Sequence, residues 1–109
     1  MEKRENLNAL FILINAGHAA EIVELARSAG AAGATILSAR GEGKHHEMFM
    51  GITLDTEKEI IVSIVDKLTA GKVMEVIKEK AGVNTPAHGV CFTMPIDKAV
   101  GLESTVSPE

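Results

Sequence analysis

Along this chain, stretches that are apolar at nearly every position alternate with stretches that are apolar at every third or fourth. Leu7 to Ile14 is the first kind and predicts a strand apolar on both faces. Asn15-Ala16-Gly17 predicts a turn. From His18 to Ala29, the apolar positions Ala19, Ile22, Val23, Ala26 and Ala29 recur at spacings of three and four, with Glu21, Glu24 and Arg27 largely on the other side. That pattern predicts a helix, and Gly30 is placed to end it. Gly33 to Gly41 predicts a second strand, because Thr35, Ile36 and Leu37 favour extended backbone, and Gly41 and Gly43 then release the chain from the sheet. Residues 44–56 are ambiguous: Met48 to Leu54 reads as a strand or as the folded side of a long loop. Glu57-Lys58-Glu59 leads into Ile60 to Val65, a β-branched run typical of a strand buried on both faces. Asp66 to Ala81 predicts a second helix, with Ala70, Val73, Met74, Ile77 and Ala81 on one face and Gly82 at its end. Asn84 to Gly89 predicts a loop. Val90 to Ile96 predicts a last strand, in which Pro95 marks a sheet edge or a bulge. The ends, residues 1–6 and 103–109, are polar and predict fraying.

The order is βαββαβ, two half-units of similar length without evident sequence identity. That is the split, ferredoxin-like α+β arrangement: a four-stranded antiparallel sheet with both helices on one face and the first and third strands central. Those are the two strands apolar on both faces. The helices cover one face only, so the other would meet water in a single copy, and closed symmetric association is the expected answer. Phe11 is the candidate for an inward-facing position on the first strand.

Composition narrows the function. The chain has 109 residues, 46% of them apolar, as expected of one globular domain spanning 1–109. A net charge of −4 argues against a nucleic-acid or anionic-membrane binder, which needs a basic face. With no Trp or Tyr, and only Phe11, Phe49 and Phe92, a base-stacking surface is poorly supplied. The apolar run after Met1 to Asn6 is too short for a signal peptide and no clean cleavage site follows it. Nothing approaches the roughly 20 apolar residues of a membrane span. Cys91 is the single cysteine, so no internal disulfide forms, and a cytoplasmic setting is the simpler reading.

The richest chemistry lies in Gly33 to His46, where a strand ends in a small-residue turn followed by Lys44, His45 and His46. Exposed backbone N–H groups beside a positive charge can hold an anion; the plainer reading is a solvated loop. His45 and His46 are adjacent and point to opposite sides of an extended chain, so they do not chelate one metal together, and no metal site is predicted. Cys91 reads as a buried core thiol. Lys58, between two acids, reads as a solvated charge cluster. Met48, Phe49 and Met50 serve packing or a partner-binding tip equally well. No constellation suggests catalysis, so the chain does not read as an enzyme.

With those residues in view, the chain resembles the P-II nitrogen-regulatory signalling proteins over roughly Leu7 to Leu102. The resemblance rests on Gly33-Ala34-Thr35-Ile36 running into Arg40-Gly41-Glu42-Gly43-Lys44, on Glu57-Lys58-Glu59 before the third strand, and on Gly89-Val90-Cys91-Phe92 opening the fourth. It implies a homotrimer with sheets facing inward, adenine nucleotides (ADP, AMP or ATP) bound in clefts between subunits, and a loop after the second strand that contacts a membrane transporter or metabolic enzyme. By resemblance Arg40, Gly41, Gly43 and Lys44 form the base of that loop, with His45, His46, Met48, Phe49 and Met50 beyond it. Thr35 faces the adenine, Lys58 reaches bound effector, and Ala87-His88-Gly89 is the opposing phosphate loop. The chain departs from the family where Gly-Asp-Gly-Lys is expected and Ala87-His88-Gly89-Val90 stands, and where two phosphate-gripping arginines are replaced by Gly101 and Glu103. Its loop is shorter and lacks the tyrosine modified in some members. These departures predict weak or absent ATP binding, with a less charged adenine nucleotide or another anion as the alternative effector. The competing reading is a trimeric metal- or small-molecule-binding protein of the divalent-cation-tolerance type.

Overall fold

The computed structural model describes residues 6–41, 47–49, 52–54 and 56–102. Eight elements follow in order: β1 Leu7–Asn15, α1 Ala19–Ser28, β2 Thr35–Gly41, β3 Glu47–Phe49, β4 Ile52–Leu54, β5 Thr56–Asp66, α2 Lys67–Lys80 and β6 Val90–Pro95. Four strands form one antiparallel sheet in the order β2-β5-β1-β6, so the two strands apolar on both faces are the central ones. Pro95 closes β6 at the sheet edge, where a missing N–H breaks no ladder.

Register explains the core. β1 alternates, with Leu10, Ile12 and Ile14 fully buried and Ala9, Phe11 and Leu13 half-buried on the other side. On β5, Ile61, Ser63 and Val65 face the same way as the buried residues of β1. Ala19, Ile22 and Ala26 of α1 and Ala70, Val73 and Ile77 of α2 close over them. Each fully buried Leu, Ile or Val contributes about 1.5–3 kcal/mol relative to exposure. Ser63 is the polar exception in this layer, and its hydroxyl donates to the Gly33 carbonyl at 2.5 Å.

The helices leave the opposite face uncovered. Cross-strand pairing builds three rows on it: Leu37–Ile60–Leu13–Val90, Thr35–Val62–Phe11–Phe92, and Ile64–Ala9–Met94. Leu37, Val90, Phe92 and Met94 expose 42–54% of their surface. Phe11 and Phe92 stack with ring centroids 5.0 Å apart. Phe11 therefore does lie on the uncovered face.

Between β2 and β5 the ambiguity at 44–56 resolves into a small hairpin. Glu47 pairs with Leu54, Met48 with Thr53 and Phe49 with Ile52, in a two-stranded sheet of its own that does not extend the main sheet. Of the residues assigned to this segment from sequence, Gly43, Lys44, His45, His46 and Met50 lie outside the described residues. Among the described residues no helix is long and apolar enough to cross a membrane.

Candidate ligand site at one end of the sheet

Antiparallel pairing gathers one end of every main-sheet strand. Asn15 at the end of β1 pairs with Lys58, Lys58 pairs with Ala39, Arg40 with Glu57, and Gly41 with Thr56. The loop before β6 joins them, because the Asn15 N–H donates to the Ala87 carbonyl at 2.9 Å. Arg40, Gly41, Lys58, His88 and Gly89 thus share one end of the sheet. Thr35 does not: it begins β2, roughly 20 Å from Gly41 along the strand, and sits opposite Val62 in the middle of the uncovered face.

A hollow of about 690 Å³ opens here between the Ala16-Gly17 turn, the Ser38–Arg40 end of β2 and the Glu57–Glu59 start of β5. Arg40, Glu57 and Glu59 line it from the helix side, while the Lys58 side chain lies on the other face of the sheet. The Lys58 stem lies across Gly41, where a Cβ would stand 3.0 Å from Lys58 Cγ. The Lys58 ammonium donates to Asn15 Oδ1 at 2.7 Å. Glu59 Oε1 accepts the Gly17 N–H at 2.9 Å. Lys58 is thus a held side chain, where the sequence suggested a solvated cluster.

The loop before β6 is built differently from a phosphate cradle. His88 adopts φ +50, and its N–H donates to the Thr85 carbonyl at 3.0 Å. The Gly89 N–H donates to the Ala81 carbonyl at 2.7 Å. Both backbone donors are therefore bonded inside the protein. His88 Nδ1 lies 2.9 Å from the Val83 carbonyl, an acceptor only, so Nδ1 is the donor in that contact.

A second hollow, about 630 Å³, lies between α2 and the edge strand β6, lined by Met74, Ile77, Val83 and Cys91 among others. Cys91 packs against the core but is half-buried, less enclosed than a core thiol, because β6 is an edge strand with no further strand beside it. Burial still pushes its thiol up to about 11, so it stays neutral near pH 7. Among the described residues no three His, Cys, Asp or Glu side chains come together as a metal site.

Asn15 is the site residue that sequence reasoning passed over. Its partners lie 43 and 71 residues away, and no local pattern around a turn asparagine signals them.

The family model for nitrogen regulatory protein P-II matches residues 7–105. No curated protein matches. Among solved structures, CPII from Thiomonas intermedia K12 bound to ADP and bicarbonate is 26% identical, with 81% of this chain and 83% of that chain covered and a TM-score of 0.60. The same protein bound to ADP, AMP and acetate is 23% identical over 93% of this chain and 95% of that one, with a TM-score of 0.66. The GlnK–ATP complex of B. subtilis is 16% identical over 91% and 89%, with a TM-score of 0.68. These likenesses show the same fold.

Proposed function

We propose, from the premise that this chain belongs to the nitrogen regulatory protein P-II family, that it is a cytoplasmic, trimeric sensor of an adenine nucleotide carrying fewer phosphates than ATP. The observation that carries this reading is the end of the sheet itself. A held lysine, Lys58, stands at this end of the sheet on the face it shares with Asn15 and Ala39, while the backbone donors of His88 and Gly89 are bonded inside the protein. Such a site meets negative charge with a held cationic side chain and no backbone cradle, which suits ADP or AMP better than ATP. The ADP- and AMP-bound forms of the T. intermedia protein support the choice of nucleotide.

The uncovered apolar face supports the trimer, with the three sheets packed inward on one another. Gly41 ends one edge strand and Gly89 leads into the other, separated by the sheet's width of roughly 14 Å. A cleft between subunits brings one chain's β2 edge to another's β6 edge. In this reading Arg40, Gly41, Gly43, Lys44, Lys58, His88 and Gly89 line the cleft, and Thr35 lies apart from them at the start of β2. The segment carrying His45, His46, Met48, Phe49 and Met50 meets a regulated transporter or metabolic enzyme.

Calorimetry against ATP, ADP and AMP, with and without Mg²⁺, tests the reading. ADP or AMP is expected to bind more tightly than ATP, and Lys58→Ala and Lys44→Ala are each expected to weaken binding more than Lys67→Ala on α2. Submicromolar ATP affinity, or equal effects of all three lysines, overturns it.

A further inference from the structure

Asn15 connects two parts of the site that are remote in sequence. Its Oδ1 accepts from Lys58 Nζ at 2.7 Å, its Nδ2 donates to the Pro86 carbonyl at 2.9 Å, and its backbone N–H donates to the Ala87 carbonyl at 2.9 Å. One short side chain thus joins a lysine on β5 to the loop before β6.

The chemistry of that partner matters. Glu57 and Glu59 flank Lys58, but strand alternation turns them toward the helix side, while Lys58 shares the other face with Asn15 and Ala39. Glu59 is occupied by the Gly17 N–H. Among the described residues, the hydrogen-bond partner of the Lys58 ammonium is a neutral amide and not a carboxylate. A carboxylate would fix the ammonium and cancel its charge. An amide oxygen fixes it and leaves the charge for something else. Holding a long, flexible side chain before a ligand arrives also removes part of the ordering penalty of binding.

We infer that Asn15 is a positioning residue for the effector: it holds Lys58 ready for the effector's phosphate and ties that lysine's engagement to the loop at Pro86 and Ala87. This rests on the adenine-nucleotide reading above. When the phosphate takes the ammonium, the Asn15 amide loses or shares its donor, and the 86–89 loop is the element that registers the change.

ADP is the probe, with wild type, Asn15→Ala, Lys58→Ala and the double variant compared by calorimetry. Asn15→Ala is expected to weaken ADP binding roughly threefold to tenfold in the wild-type background. It is expected to change nothing further once Lys58 is Ala, because it acts through that lysine. NMR of the unmodified residue keeps the test independent of whether Asn15→Ala folds: ADP is expected to shift the Asn15 side-chain amide resonances in wild type but not in Lys58→Ala. If ADP binds and Lys58→Ala weakens it, while Asn15→Ala binds normally or the Asn15 amide resonances stay still, this inference falls and the nucleotide reading stands. If wild type does not bind ADP, or Lys58→Ala leaves binding unchanged, both fall.

Discussion

At Gly89 a side chain has nowhere to go. A Cβ there would stand 2.5 Å from the Ala81 carbonyl oxygen, the same atom that accepts the Gly89 N–H. Gly89→Ala must push the loop off the end of α2, and we expect a loss of about 1–3 kcal/mol of stability. Gly33→Ala, with nothing within 4 Å of the new methyl, is the control and should change little. Urea unfolding of the two variants checks both. A glycine that the family resemblance assigns to the ligand is therefore required by the fold on its own account. Cys91 gives a second expectation, in pH. Its thiol ionises at about 11 in the folded chain against an ordinary 9.0, because burial disfavours the thiolate. This contribution to stability is fully present below pH 9 and is lost as pH rises through about 11. The stability of wild type should fall more steeply than that of Cys91→Ala between those values; parallel curves would refute it.

Among the elements, α2 is capped and α1 is not. The Asp66 carboxylate accepts the Thr69 N–H at 2.7 Å, while His18 before α1 makes no side-chain cap bond. Asp66→Ala should lower stability by about 1 kcal/mol in thermal or urea unfolding, with His18→Ala having a smaller effect. The same local chemistry made α2 legible in advance. An acid followed by apolar residues at helical spacing marks its start, and the alanine–glycine pair at 81 and 82 its end. The β-branched run at 60–65, interrupted only by Ser63, likewise announced a central strand, because a strand with apolar residues on both faces belongs inside a sheet. The hairpin β3–β4 was not legible as such: three residues per strand are too few for alternation to show. Nor was the role of Asn15, since hydrogen bonds that cross from strand to strand leave no periodic trace in the chain. Lys58 looked like a solvated charge among acids because its neighbours in sequence, Glu57 and Glu59, face the other side of the sheet.

For the whole molecule, the decisive feature is the uncovered face with its Phe11–Phe92 stack. Phe11→Asp should leave the helix-side core intact but place a carboxylate where subunits would meet. We expect sedimentation to show a trimer for wild type and loss of that trimer for Phe11→Asp. A wild type that sediments as a monomer at micromolar concentration would remove the assembly altogether. The chain leaves β2 at Gly41 and returns to β5 at Thr56, and those two residues are cross-strand partners. Everything between them departs from and comes back to a single rung of the sheet, and the hairpin within it shares no ladder with that sheet. Loop-closure entropy rises by only about 0.6 kcal/mol for each doubling of length. The register of β2 on β5, and with it the placement of Lys58, is therefore set by the pairing of those two strands and depends little on the length of the segment that joins them.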